Sequence, residues 1–336
     1  MPPSPALRRV GWAAIAEFQS GVISRRQLIE LGLSPMQAKA DINTGRWQRM
    51  LPGVYATFTG PIDTPARIWA AILYAGPGAA ASHGTALWLW KLKDEPPSVI
   101  DVVVPESRKV LPRIGLRVHR RRALDQDRAE LLVHPSAQPP RLRVEEAVLD
   151  HCDSATAVVA IDLILRATQR RLTTADRLRR SIDQRPRQRW RSLLLEVLTD
   201  VVVGVESALE RRYLRDVERP HHLPAGTRNK PEKQHRGGNR YRDVRYRAWH
   251  VIVELDGRLA HPLTEKFRDM KRDNGATVAG DAALRYGWLD VVGEPCAVAE
   301  QVGALLSLRG WTGQPRPCGP RCAAARPPDL PARRSG

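Results

Sequence analysis

From His250 to Gly257 the chain reads His-Val-Ile-Val-Glu-Leu-Asp-Gly. A short run this rich in β-branched and aliphatic residues predicts a strand covered on both faces. Glu254 and Asp256 nevertheless stand inside it, close to a glycine. Acids in so apolar a setting are costly unless they are paired or hold a cation. Just upstream, Tyr241 to Tyr246 alternates as a shorter strand, and Ala248-Trp249 lies between the two runs, so a hairpin follows naturally. That hairpin puts Asp243 beside Glu254, and the period of two puts Asp256 on the face of Glu254. Facing carboxylates repel one another unless a cation joins them. Mg²⁺ takes sites of one or two carboxylates, waters and a substrate phosphate oxygen, and metal-assisted phosphodiester hydrolysis needs that arrangement. The competing reading is a hairpin whose acids are simply solvated.

The flanks extend the pattern. His261, four residues past Gly257, is placed to hold or deprotonate water. Phe267 to Asn274 reads as helical. Asp269 and Asp273 share one face of it, while Lys271 and Arg272 point elsewhere, toward phosphate. Leu284 to Val291 reads as a closing strand and Cys296 to Leu308 as a last helix. Before the hairpin, Ser207 with Glu210 three residues on has the form of a capping box, which would make Glu210 only a capping acid. A loop rich in Pro, Gly and basic residues runs from His221 to Asn239. Arg228, Lys230, Arg242 and Arg245, in and beside it, are candidates for holding a nucleic-acid backbone.

Charge narrows the partner class. Lys and Arg total 54, only eight of them Lys, against 36 Asp and Glu; the net charge is +18. Such a surface attracts polyanions, with DNA the leading candidate, although an Arg-rich proteome would inflate the same count. Four cysteines in 336 residues do not make a disulfide scaffold. The first residues lack an apolar core followed by a small-residue cleavage site. The longest stretch without charged side chains, Ile68 to Trp90, is broken by Gly76-Pro77-Gly78 and Ser82-His83-Gly84. It therefore reads as two buried segments rather than a membrane span. A cytoplasmic protein with no membrane partner is expected.

At 336 residues, two or three domains are expected. Residues 10–58 read helix, tight turn, helix, hairpin. Ser24 caps the first helix and Gly32 ends it; Ser34 and Pro35 open the second and Gly45 ends it. Trp47 to Tyr55, punctuated by Pro52-Gly53, supplies the hairpin. This is the plan of a winged helix-turn-helix. Arg25, Arg26, Gln37, Lys39 and Asn43 are its candidate groove-facing residues, unless the polar face is merely solvated. Residues 62–150 read as a mixed α/β module in which His83 and His119 are structural, and 151–200 as a helical connector with a very basic stretch. The tail, 309–336, is rich in Pro and Arg. Its Cys318 and Cys322 read as half a metal site, which Cys296 and one further ligand could complete; a redox or packing role and an inert tail are the other readings, and zinc there is not expected.

Taken together, Asp243, then Val-Glu254-Leu-Asp256-Gly257 with His261, then Arg268-Asp269-x-x-Arg272-Asp273, then Leu-Arg-Tyr-Gly-Trp, resemble a known family. It is the domain of unknown function related to very-short-patch repair endonucleases, within the PD-(D/E)XK restriction-endonuclease-like superfamily. The likeness covers about residues 204–308. Residues 21–55 also resemble the winged-helix N-terminal domain of AbiE-type antitoxins, and residues 62–150 their second domain. The first resemblance implies that Asp243 is the central metal-binding acid, and Glu254 the first acid of the E-x-K element. Asp256 replaces its Lys, as is typical of the very-short-patch branch, and His261 takes over the water. It makes Glu210 the acid of the preceding helix, with Asp269 and Asp273 in support.

The expectation is an α/β multidomain chain: an N-terminal winged helix-turn-helix, a mixed α/β middle, and a restriction-endonuclease-like core over 204–308. The core would hydrolyse DNA phosphodiesters with Mg²⁺ or Mn²⁺. The rival expectation is a non-catalytic DNA-binding regulator of the antitoxin type, with a cognate toxin or defence-system partner.

Overall fold

The computed structural model describes residues 5–125, 129–203, 205–228, 232–233, 239–240, 243–256, 281–320 and 322. It is a mixed α/β structure of two compact units. The first comprises residues 1–155 with 171–173 and 180–189; the second comprises 156–170, 174–179 and 190–336.

The first unit begins α1 (Pro5–Phe18), β1 (Val22–Ser24), α2 (Arg25–Glu30), α3 (Pro35–Asn43), β2 (Gln48–Leu51), β3 (Val54–Ala56). The strands form an antiparallel sheet of order β1-β3-β2. Ser24 ends β1 and starts α2 through a complete capping box. Its hydroxyl accepts from the Gln27 N–H at 3.2 Å, and the Gln27 amide oxygen accepts from the Ser24 N–H at 2.9 Å. Gly53 turns the β2–β3 hairpin at φ +73°, with Pro52 before it. Ile23, Leu28, Ala38, Trp47 and Tyr55 close a small core between the helices and this sheet.

A second sheet follows α4 (Thr64–Ala75): β4 (Ala80–Ala81), α5 (His83–Leu89), β5 (Ile100–Pro105) and β6 (Leu116–Arg121), in the order β4-β5-β6. β5 and β6 are parallel. Helix α4 is apolar nearly all round, which requires burial on more than one side. Ala66, Trp69 and Ala70 pack with Val22 and Val54 of the first sheet. Ile68, Ala71, Ile72 and Ala75 pack with Ile100, Val102 and Val104 of the second. Two short helices, α6 (Ala129–Leu132) and α7 (Val144–Cys152), complete this part.

The chain then passes through α8 (Ala157–Gln169), α9 (Ala175–Asp183), α10 (Arg191–Val203) and α11 (Val205–Arg212). The second unit continues from α11 into a π-helical turn, Tyr213–Glu218. Its strands are β7 (Thr227–Arg228), β8 (Glu232–Lys233), β9 (Asn239–Arg240), β10 (Asp243–Tyr246), β11 (Val251–Asp256) and β12 (Ala282–Gly287), and α12 (Pro295–Leu308) follows. The main sheet runs β12-β11-β10-β7; β10 pairs antiparallel with β7 and β11, and β11 parallel with β12. Val251, Ile252, Val253 and Leu255 are all buried, so β11 is covered on both faces; α11 and α12 both pack against it. Arg212 is buried at the end of α11. It pairs with Asp200 at 2.6 Å and Glu196 at 3.2 Å, and its guanidinium lies over the Trp288 ring.

Two local expectations need correction. Ser207 lies inside α11, which is already helical at Val205, so Glu210 is not the acid of a capping box. The closing strand stops at Gly287 rather than Val291. There the Asp290 carboxylate accepts from the Gly287 N–H at 2.7 Å, and Leu289–Gly293 coils into a π-helical turn. No helix among the described residues is long and apolar enough to cross a membrane.

Because α4 is shared by two cores, truncating it is felt more than truncating an exposed neighbour. Ile68→Ala should cost about 2–5 kcal/mol. Ile29→Ala, at an exposed position of α2, should stay within about 0.5 kcal/mol of the parent. Urea unfolding of the full chain checks both.

Candidate functional site

The register of β10 and β11 places Asp243 opposite Glu254. Between them the chain turns through a short 3₁₀ segment, Arg247–Trp249, and His250 in the left-handed region at φ +52°. Directly opposite residues of an antiparallel pair share a face, with Cβ atoms about 4.5–5.5 Å apart. Asp256 follows Glu254 by two along β11, the spacing that returns to the same face. Helix α11, which carries Glu210, packs against this same strand. The register thus sets Asp243 opposite Glu254 with Asp256 two positions on, and Glu210 belongs to the helix that packs on this strand.

Glu254 has a partner that the sequence reading missed. Arg285 stands at the matching register position on β12, and its Nε and Nη2 both donate to Glu254 Oε2, at 2.9 and 2.6 Å. The pair is partly exposed, at 23% for Glu254 and 33% for Arg285. An arginine one strand over therefore meets the charge that the apolar run left uncompensated. Only the parallel register of β11 and β12 reveals this, since the two residues are 31 apart in sequence. A hard cation at Glu254 would share this carboxylate with the guanidinium or draw it away.

A buried hydroxyl network braces the hairpin. Tyr213, from the π-helical turn, meets Tyr246 of β10 hydroxyl to hydroxyl at 2.9 Å. Tyr246 donates to Glu218 at 3.3 Å, and the Gly226 N–H donates to the same carboxylate at 3.2 Å. Burial raises both phenols well above the usual range, so they remain neutral donors. Arg228 pairs with Glu218 at 3.5 Å, so its charge is directed to this internal acid. Arg245 is half-buried on β10.

The remaining predicted residues distribute as follows. Arg25 and Arg26 open α2, with Arg26 bonded to Glu30 at 2.7 Å; Lys39 and Asn43 are exposed on α3, and Gln37 belongs to the same helix. All five are in the first unit. Lys230, Arg242, His261, Asp269, Lys271, Arg272 and Asp273 lie outside the described residues.

A second polar concentration lies wholly within the first unit. His83 and His119, read from sequence as separate structural histidines, stack with ring centroids 3.7 Å apart. His119 Nε2 lies 2.9 Å from the buried Asp101 carboxylate. The two rings line a cleft of about 660 Å³ together with Arg121, Asp150, Arg185 and Gln188. Arg121 and Arg185 each reach Glu146 at 2.5 Å, and Arg185 also reaches Asp150 at 2.7 Å. Burial would raise the Glu146 carboxyl, but the two guanidiniums outweigh it and hold the group below its usual range. These ion pairs tie α7 to β6 and to the 180–189 segment, which is a structural use of the charges.

The imidazoles here make a pH prediction. Burial, then the neighbouring His119, lowers His83; burial, then Lys93, lowers His151 to about 4. In the unfolded chain an imidazole takes its proton near pH 6.5. Below that pH, down to about 4, the unfolded state binds more protons than the folded one, so stability falls as pH falls through this window. The melting temperature should drop between about pH 7 and about pH 5. His151→Asn should flatten that dependence, and an equally steep drop in the variant would remove His151 as a cause.

No family model matches the chain, and no curated protein does. Among solved structures, a crystal structure of the Rv2827c protein from Mycobacterium tuberculosis aligns with a TM-score of 0.37 at 18% identity. The alignment covers 59% of this chain and 79% of that one.

Proposed function

We infer that the second unit is a divalent-metal-dependent DNA endonuclease module, and that residues 10–58 serve it as a winged helix-turn-helix docking element. The observation that carries this reading is the register that sets Asp243 opposite Glu254, with Asp256 two residues on along a buried strand. The element order supports it. A helix, an antiparallel run of β7, β10 and β11, then β12 parallel to β11, then a helix follow the layout of a restriction-endonuclease-like core. In the first unit, α1-β1-α2-α3-β2-β3 with sheet order β1-β3-β2 has the layout of a winged helix, with Arg25, Lys39 and Asn43 exposed.

The residues fit a hard cation. Mg²⁺ and Mn²⁺ take oxygen ligands, and Asp243 and Glu254 supply two carboxylates at adjacent register positions. A cation bound there would polarise the phosphoryl group and acidify a water. Glu254 would hold such a cation in competition with its bonds to Arg285, and a guanidinium freed from the carboxylate could hold a phosphate. Asp256, two residues on along β11, would add to the negative charge of the site. His261, by the resemblance, would take the proton from the attacking water. The +18 charge brings DNA to the chain, with an affinity that falls steeply with salt.

The second reading, a non-cutting regulator of the antitoxin type, draws support from the same Arg285. A carboxylate already neutralised by arginine needs no cation to be stable.

Supercoiled plasmid with Mg²⁺ or Mn²⁺ separates the two. Endonuclease activity predicts metal-dependent nicking that falls by at least about 100-fold in Asp243→Ala and in Glu254→Ala, the scale lost when a group acting on the transition state is removed. No cutting by the parent chain, with salt-sensitive DNA binding equal in all three proteins, would establish the regulator.

A further inference from the structure

The C-terminal tail does not run free of the second unit. Trp311 donates its N–H to Leu306 of α12 at 2.9 Å, and Arg316 donates its N–H to the His221 carbonyl at 2.8 Å. Pro315 sits so close to Gly303 of α12 that a Cβ built on the glycine would fall 2.1 Å from the proline ring. These contacts deliver Cys318 and Cys322 to two residues from elsewhere in the unit. One is Cys296, in the first turn of α12; the other is His221, just past the π-helical turn.

The four side chains converge. One donor atom from each of His221, Cys296, Cys318 and Cys322 lies within 4.8 Å of every other. All four cysteines of the chain are free thiols, and the Cys296 and Cys318 sulfurs are 3.5 Å apart. A tetrahedral zinc with Zn–S bonds of about 2.3 Å separates its sulfurs by about 3.8 Å. The Cys322 N–H donates to the Gly319 carbonyl at 3.1 Å, and the tail's two thiols reach the same point.

His221 supplies the independent indication. It is completely buried. Its Nδ1 lies 2.8 Å from the Val217 carbonyl, which only an N–H can approach as partner, so Nδ1 carries the proton and Nε2 a lone pair. Nε2 is itself buried and has no hydrogen-bond partner. A buried acceptor left unmet costs roughly 1–3 kcal/mol. A ring whose Nδ1–H is fixed on a backbone carbonyl, with Nε2 unpartnered and the ring beside three thiols, has the posture of a metal-ligating histidine.

We propose that His221 Nε2 and the sulfurs of Cys296, Cys318 and Cys322 form a structural zinc site of the Cys₃His type. On binding, each thiol releases its proton to solvent as its sulfur bonds to the metal; no redox change is involved. The site has four protein ligands and no open position, so its role is to staple the tail to α12 and to the loop after the π-helical turn. It is independent of the carboxylate site, whose oxygen donors suit a different class of ion.

The test uses the full chain, purified under reducing conditions, stripped with a chelator and dialysed against Zn²⁺. Elemental analysis should find about one zinc per chain, and Co²⁺ in its place should give the visible absorption of a tetrahedral thiolate complex. Cys318→Ala alters an exposed thiol and leaves folding intact by circular dichroism; it should lose at least about nine-tenths of the zinc. His221→Ala should lose it as well, and Cys152→Ala, at a buried cysteine outside the group, should retain it. Chelation should speed protease cleavage within residues 311–322. The proposal is overturned if the reduced parent chain takes up no zinc, or if Cys318→Ala binds as much as the parent. A Cys296–Cys318 disulfide that persists while the reduced protein ignores Zn²⁺ and Co²⁺ would overturn it equally.

Discussion

The second unit is organised around β11, a strand that is buried on both faces yet carries an acid at its partly exposed end. Burial on both faces needs cover, and α11 and α12 both pack against the strand. It also needs a partner on each edge: β10 antiparallel on one and β12 parallel on the other. The charge on Glu254 needs a counter-charge, and the parallel register provides Arg285. The hairpin that pairs β10 with β11 is held from behind by Tyr213, Tyr246 and Glu218. Each of these features answers a requirement set by one apolar segment.

The first unit meets a similar constraint with a helix. An α-helix that is apolar nearly all round has no solvent face to offer, so α4 lies between two small sheets that would each be too slight alone. The cleft beside the second sheet is charged, but its charges are largely matched by ion pairs, and its two histidines stack. On β10 and β11 the register sets Asp243 opposite Glu254, and there too the Glu254 carboxylate is met by an arginine, Arg285. Opposite charges in close contact hold a fold.

The two candidate metal sites illustrate how donor chemistry sorts ions. Carboxylates on two neighbouring strands suit a hard, hydrated cation with substrate as a further ligand, whereas three sulfurs and an imidazole suit a borderline-soft ion fully enclosed by protein. One is open and would serve chemistry. The other is closed and would serve architecture. Their residues share a unit but no ligand.

Local sequence determined the elements here. The Ser24 capping box, the Pro52-Gly53 turn, the all-round apolar α4 and the β10–β11 hairpin each rest on neighbours within a few residues, where propensity and side-chain spacing act directly. The register that sets Asp243 opposite Glu254 follows from the same short-range logic. Where a helix is entered from the one before it, as at Ser207, or where a side chain turns the chain early, as Asp290 does, the local signal misled by a few residues. Tertiary structure alone decided the pairings of distant residues: Arg285 with Glu254, Tyr213 with Tyr246, His83 with His119, and His221 with three cysteines. From sequence, Cys318 and Cys322 read as half a site that Cys296 and an unnamed ligand could complete; His221 is missed because a ligand set assembled from a loop, a helix start and a tail has no spacing to recognise. It exists only once packing of the tail on α12 has brought its parts together.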